Sequence, residues 1–353
     1  MKMFWKVLKV FGIVFGSIVL ILIIAGGIYI YRCTHYWQND YKKTIQAGFT
    51  EKQAKLPDGS IINYAEGPNH GKALLLIHGQ TGAWEDYITV LPELSNKWHV
   101  FAVDCYGHGK SSHDPSKYYL DKNGDDLIWF IDNVIKGPTV VSGHSSGGLI
   151  AAYIAANGGN LVGAVLEDPP VFSTEKEIFE KTFAYVDTYQ PMHEYLNSEQ
   201  TESWEAYYLQ HCLWGKLYMP NAMNGLANYA QQYRDKHPGQ PVQFFFLPES
   251  LNFTFLYLPE YDLRFGDHFY DYSWFDGIDQ ATLMSEITVP TIFIHTKEAY
   301  TADGILMAAS SDAQARKAVS LMKNAQLIEL SSPHDIHRFH PDVFIDAVNR
   351  LLN

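Results

Sequence analysis

Gly143-His144-Ser145-Ser146-Gly147 constrains this 353-residue chain more than any other stretch. It follows Thr139-Val140-Val141, a β-branched run that reads as a short buried strand. It opens Leu149–Ala156, an apolar, alanine-rich stretch that reads as a helix. A strand that turns sharply into a helix at a serine lifts that hydroxyl out on strained backbone, where only small neighbours fit. Gly143 and Gly147 let strand and helix pass close to each other. The Ser146 N–H then stands at a helix N-terminus, where it can face a developing oxyanion. A Gly/Ser-rich loop can match this pattern by coincidence, so the reading needs support from elsewhere in the chain.

Three further segments supply it. Ala73-Leu74-Leu75-Leu76-Ile77 reads as a buried strand and leads into His78-Gly79-Gln80-Thr81-Gly82. Val100-Phe101-Ala102-Val103 leads into Asp104-Cys105-Tyr106-Gly107-His108-Gly109-Lys110-Ser111. Near the C-terminus, Leu327–Leu330 leads into Ser331-Ser332-Pro333-His334-Asp335-Ile336-His337, with Pro341 beyond. In this order the motifs resemble those of the α/β-hydrolases: H-G after the third strand, D-x-x-G-x-G-x-S after the fourth, G-x-S-x-G after the fifth, and a late histidine. The resemblance covers residues 56–353. It implies an α/β fold with a mostly parallel sheet, helices on both faces, and a largely helical lid inserted in the core.

Carried onto this sequence, the resemblance makes Ser145 the nucleophile and His334, seven residues before Pro341, its base. His337 matches a second, non-catalytic histidine of the same pattern. Pro333 departs from the glycine usual there. His78, His108 and His144 fall inside turns and suit packing and loop hydrogen bonds. The backbone N–H groups of Gln80 and Ser146 form the expected oxyanion hole. Asp104–Ser111 is expected to be structural. A serine at 145 argues against the dehalogenases and epoxide hydrolases of this fold, which use aspartate. The triad acid stays open. Relatives place an aspartate three residues after a glycine at the end of the seventh strand, but here those positions are Thr296 and Ala299. Glu298, the first acid past that strand end, is the leading choice. Asp303 fits when counted back from the following helix, and Asp168 ends the sixth strand, another location used in this fold. No metal and no cofactor is implied.

The N-terminus differs in kind. From Val10 to Tyr31 the chain has no charged residue. At ~1.5 Å per residue such a helix spans the ~30 Å apolar core of a bilayer. Lys2, Lys6 and Lys9 precede it, and Trp5, Tyr29, Tyr31, Tyr36 and Trp37 suit the two interfaces. The run exceeds the ~7–15 residues of a signal-peptide core, and Ile28–Tyr31 is a poor cleavage site. An uncleaved single-pass anchor is therefore expected, with the catalytic domain outside the cytoplasm. Cys33 lacks the small preceding residues of a lipidation site.

These readings divide the chain into an anchor (1–37, span 10–31), a polar connector (38–55), a hydrolase core (56–168 and 287–353) and a lid (169–286). Of the 51 aromatic residues, 26 fall within 172–276, as expected of a lid over an apolar pocket or of a small helical subdomain with an aromatic core of its own. The net charge of −13 argues against nucleic acid, and three scattered cysteines form neither a disulfide framework nor a zinc site. The function expected is a membrane-anchored serine hydrolase acting on an ester, amide or thioester with an apolar acyl group. The same residues would serve an acyltransferase or a C–C hydrolase. A non-catalytic binding protein of the same fold is the rival from another class.

Overall fold

The computed structural model describes residues 1–199 and 201–352, with Lys2 described by its backbone alone. The sheet is built from β1 (Thr50–Lys55), β2 (Ile61–Glu66), β3 (Lys72–Ile77), β4 (Trp98–Val103), β5 (Thr139–His144), β6 (Leu161–Glu167), β7 (Thr291–Thr296) and β8 (Ala325–Leu330). Their spatial order is β1-β2-β4-β3-β5-β6-β7-β8. β2 runs antiparallel to both its neighbours, and every other pairing is parallel. β3 shows how the sheet divides the core, because side chains alternate along a strand. Leu75 and Ile77 pack with the helices Leu120–Phe130 and Ser146–Asn157, whereas Leu74 and Leu76 pack with residues 84–94 and the helix Pro341–Asn349. Both faces are covered, so the parallel strands read as continuous apolar runs.

Two expected boundaries move. Residues 38–55 are no loose connector: Gln38–Gln46 is a helix, and Thr50–Lys55 is the first strand. The buried Thr44 hydroxyl donates to Ile88 O at 3.2 Å and ties that helix to the core. β1 reads as polar because it is an edge strand in which only Ala54 is buried, and charged edges resist unwanted pairing. Helix Gln280–Glu286, inside the expected lid, packs on Ser146–Asn157 and shares its core through Leu283 and Met284.

The lid proper leaves the sheet at Asp168 and carries the helices Gln190–Leu196, Trp204–His211, Leu213–Tyr218, Met223–Lys236 and Leu263–Tyr270. Ahead of everything stands one helix, Lys2–His35, longer than the uncharged run within it. Within Met3–His35 an 18-residue stretch reaches a mean hydropathy of 2.8, and the helix is long and apolar enough to cross a membrane.

Candidate active site

Ser145 sits between β5 and the helix Ser146–Asn157 with φ 54 and ψ −121, a conformation that non-glycine residues rarely adopt. Its neighbours leave no room for anything larger than glycine. A Cβ at Gly143 would lie 2.0 Å from Gly147 O, and one at Gly147 would lie 2.3 Å from His78 O. Strain of this kind costs ~1–3 kcal/mol and persists only where the surroundings impose it. Here they do: the Ser145 N–H donates to Glu167 O at 2.9 Å, pinning the turn to the end of β6.

His334 follows β8, and its Nδ1 lies 2.7 Å from Asp168 Oδ2. Asp168 follows β6, is fully buried, and also has positive φ, 43°. Its carboxylate accepts hydrogen bonds from the Thr296 N–H at 2.9 Å and the Thr296 hydroxyl at 2.6 Å. His295 Nδ1 stands 3.4 Å away. Burial by itself would raise the Asp168 pKa, but His295, His334 and Thr296 outweigh it and hold the carboxyl well below the usual range. Burial also presses the His334 imidazole towards neutrality. The hydrogen bond and charge of Asp168 reverse this, so its pKa is raised. An ionised acid holding Nδ1–H leaves Nε2 as the basic nitrogen.

Of the three carboxylates expected from the sequence, Asp168 is the one brought to His334. Glu298, the leading choice, is exposed, and its Oε2 accepts from the Asp312 N–H at 2.9 Å and the Tyr300 hydroxyl at 3.2 Å. That N–H is the first of the helix Asp312–Leu321, whose N-cap is Ser311. Asp303 is exposed on a turn beyond it. Thr296 reaches across from the end of β7 to hold the Asp168 carboxylate at the end of β6.

Ser145 and His334 both line a cavity of about 380 Å³. Its wall includes Phe179, Phe183, Tyr189 and Met307. They also line a second cavity of about 220 Å³, with Gln80, His144, Phe253 and Thr254. Among the described residues no hydrogen bond joins Ser145 to His334 in this state. Such bonds commonly tighten only once substrate is bound. The Ser146 N–H, first in its helix, has no acceptor within it. Gln80 follows β3 beside it, and its side-chain amide donates to the hydroxyl of Tyr261 from the lid.

The remaining histidines of the motifs have structural partners. His78 Nε2 accepts from Cys105 N–H at 2.9 Å, and His108 Nε2 accepts from Thr81 N–H at 3.1 Å. Asp104 accepts from Trp84 N–H, Lys110 N–H and Asn63, which fixes its loop. Sequence reasoning missed the partners of His337. That ring is buried, with Nδ1 2.8 Å from Glu167 Oε1 and Nε2 3.7 Å from Asp86 Oδ2. Burial opposes the charge on His337, but Glu167 and Asp86 outweigh it and raise its pKa well above the usual value. Glu167 directly precedes Asp168, so this buried ionic group braces the strand end from which Asp168 emerges.

Sheet order, elbow and lid together define the class. The chain belongs to the alpha/beta hydrolase family, whose profile it matches over residues 74–347. Among curated proteins it is similar to lipase LipV of Mycobacterium tuberculosis, 35% identical over 132 residues, 35% of this chain and 49% of that protein. It is also similar to a serine hydrolase-like protein of Danio rerio, 30% identical over 115 residues, 32% of this chain and 35% of that protein. The chain thus spans half or less of the length of these relatives. Among solved structures it resembles a hydrolase from Pseudomonas aeruginosa (TM-score 0.60, 18% identity, 87% of this chain and 99% of that one). It also resembles a membrane phospholipase A described as a bacterial virulence factor (TM-score 0.57, 18% identity, 95% and 96%). At these identities the likeness is one of fold.

Proposed function

We propose that this protein is a membrane-anchored serine hydrolase that cleaves an ester, amide or thioester through an acyl-enzyme. The observation that carries the reading is the 2.7 Å contact of His334 Nδ1 with the buried Asp168, beside a serine held at φ 54. His334 Nε2 takes the Ser145 proton as Oγ attacks the substrate carbonyl carbon. The N–H groups of Gln80 and Ser146 stabilise the oxyanion. Collapse breaks the bond to the leaving group, which departs with the proton from Nε2. Water then attacks the acyl-enzyme with His334 again as base, releasing the acid and restoring Ser145. Asp168 keeps its charge throughout and stabilises the imidazolium.

The aromatic wall of the larger cavity and the lipases among the relatives support an apolar acyl group. The long apolar N-terminal helix supports a single-pass anchor, with the lysines before it favouring a cytoplasmic N-terminus. Hydrolysis of a short-chain p-nitrophenyl ester tests the chemistry. Wild-type protein turns over, and Ser145→Ala falls by several orders of magnitude. Retention of more than about a tenth of the activity would sink the proposed nucleophile.

A further inference from the structure

One lid segment, residues 245–255, meets the N-terminal helix, exposes aromatic rings and borders the reaction site. Phe245 and Phe246 are 46% and 42% exposed, whereas their neighbours in the lid core, Phe244 and Phe255, are buried. The same segment is bound to the last turns of the apolar helix. The Tyr29 hydroxyl donates to Phe246 O at 3.0 Å, and Asn252 Nδ2 donates to Cys33 O at 3.3 Å. Asn252 also braces the segment internally, accepting from Phe244 N–H at 2.6 Å and donating to Phe244 O and Leu247 O. Arg338, on the helix after His334, lies 3.5 Å over the Phe253 ring and 5.7 Å from that of Tyr36. Tyr29 belongs to the uncharged run and stands three residues before Arg32, only ~4.5 Å along the helix. Whatever depth the apolar helix takes in a bilayer, Phe246 is held beside its interfacial end.

Behind the two exposed rings, the segment forms walls of three cavities. Phe253 and Thr254 border the 220 Å³ cavity that holds Ser145, His334 and Gln80. Phe253 and Glu249 border one of about 240 Å³ floored by Tyr36 and Trp37 at the foot of the apolar helix. Leu247, Leu251 and Phe255 border a third of about 290 Å³ inside the lid, walled by Leu209, Met223 and Leu226. Phe183 lines both this lid cavity and the 380 Å³ cavity beside Ser145. The helix-foot cavity is also ringed by Asp40, Glu85, Asp86 and Arg338, so the apolar path to the serine runs through the lid cavity and past Phe183.

We propose that segment 245–255 is a membrane-docking edge of the lid. Phe245 and Phe246 enter the leaflet beside the anchor, and the cavities behind them admit an acyl ester of that leaflet's lipids to Ser145. The proposal rests on the anchored serine-hydrolase reading and adds where the substrate comes from. Aromatic rings favour this interfacial level, and their affinity for it scales with the apolar area they bury there. A substrate taken directly from the leaflet keeps its acyl chains out of water at every step.

The test uses the full chain reconstituted in phosphatidylcholine vesicles. Phe245→Ser combined with Phe246→Ser should keep hydrolysis of a soluble short-chain ester within about twofold, because neither residue lines the cavities beside Ser145. Hydrolysis of a long-chain ester carried in the vesicles should drop by about tenfold or more. Equal loss on both substrates, or on neither, overturns the proposal. A second measurement is independent of chemistry. All three native cysteines are buried, so Phe245→Cys can be labelled selectively with a fluorophore. The label should be quenched by lipids carrying a shallow nitroxide. A label at Asp132→Cys, which precedes β5 at the end away from Ser145, should not. An unquenched label at 245 overturns the docking. A quenched label in a protein without esterase activity would instead defeat the hydrolase reading and, with it, substrate delivery.

Discussion

The two ends of the path to Ser145 are built from opposite materials. At the carboxyl ends of β5, β6 and β8 the chain uses strain and buried charge: two non-glycine residues with positive φ, and the fully buried carboxylates Glu167 and Asp168. Asp168 there is held by Thr296 from the end of β7 and by His334 beyond β8. At the lid edge beside the N-terminal helix the chain uses apolar surface, with exposed Phe245 and Phe246 and cavities walled by separate short helices. On the proposed function, the sheet sets the reaction and the insertion sets what arrives. Substitutions at the sheet should abolish turnover of every substrate, and those at the lid should change which substrate is used.

The largest effect should come from the serine–histidine pair. Ser145→Ala and His334→Ala should each lower kcat by about 10⁶, and the double variant should be little worse because the two act as a unit. Additive losses in steady-state kinetics would break the pairing. Next comes Asp168→Asn, which should cost about 10⁴ in kcat by leaving His334 in the wrong tautomer. Glu298→Gln and Asp303→Asn should remain near wild type. A severe loss at Glu298 instead would return the acid to the end of β7.

Stability should respond less dramatically. His337→Gln leaves Glu167 without its charged partner and should cost about 3 kcal/mol, read as a lower midpoint in denaturant. The sign with pH follows from the two shifts. Burial opposes ionisation of Glu167, but His337 and His144 hold its pKa down, so its contribution is present above ~4.3 and lost as pH falls through the lowered value. His337 has a raised pKa, so its contribution is full below ~6.5 and lost only as pH climbs through the raised value. The gap between wild type and His337→Gln should therefore be widest near pH 5–6 and close at both extremes. An equal gap from pH 3 to pH 10 would contradict the ionic account.

The smallest effect should be on the rate profile. His334 must be neutral to act, and its pKa is raised, so kcat/KM should fall on the acid side with an apparent pKa above ~6.5. The residual activity of Asp168→Asn should show this limb shifted downwards. A flat profile from about pH 5 to 8 in a stable protein would count against a histidine base.

Much of the fold and part of the site are legible in the sequence, and the limits are physical. β3 to β7 announce themselves because strands buried on both faces are apolar runs, whereas β8, at the other edge of the sheet, is legible only through Leu327, Ile328 and Leu330. The elbow is legible because its glycines answer a local steric demand. β1 is not, since an exposed edge strand such as Thr50–Lys55 carries a loop's composition. The acid stays open in the sequence for a different reason. Three carboxylates stand near strand ends, and only the crossing from Thr296 to Asp168, a contact 128 residues apart in sequence, separates them. Cys33 reads as incidental because nothing local shows that its carbonyl meets Asn252 from the lid.

Covalent labelling tests the central claim most directly. Full-length protein treated with a fluorophosphonate should gain one adduct, mapped by peptide mass spectrometry to the segment containing Ser145. The adduct should be absent in Ser145→Ala and form far more slowly in Asp168→Asn. A protein that stays unmodified, or whose label persists in Ser145→Ala, would contradict the account.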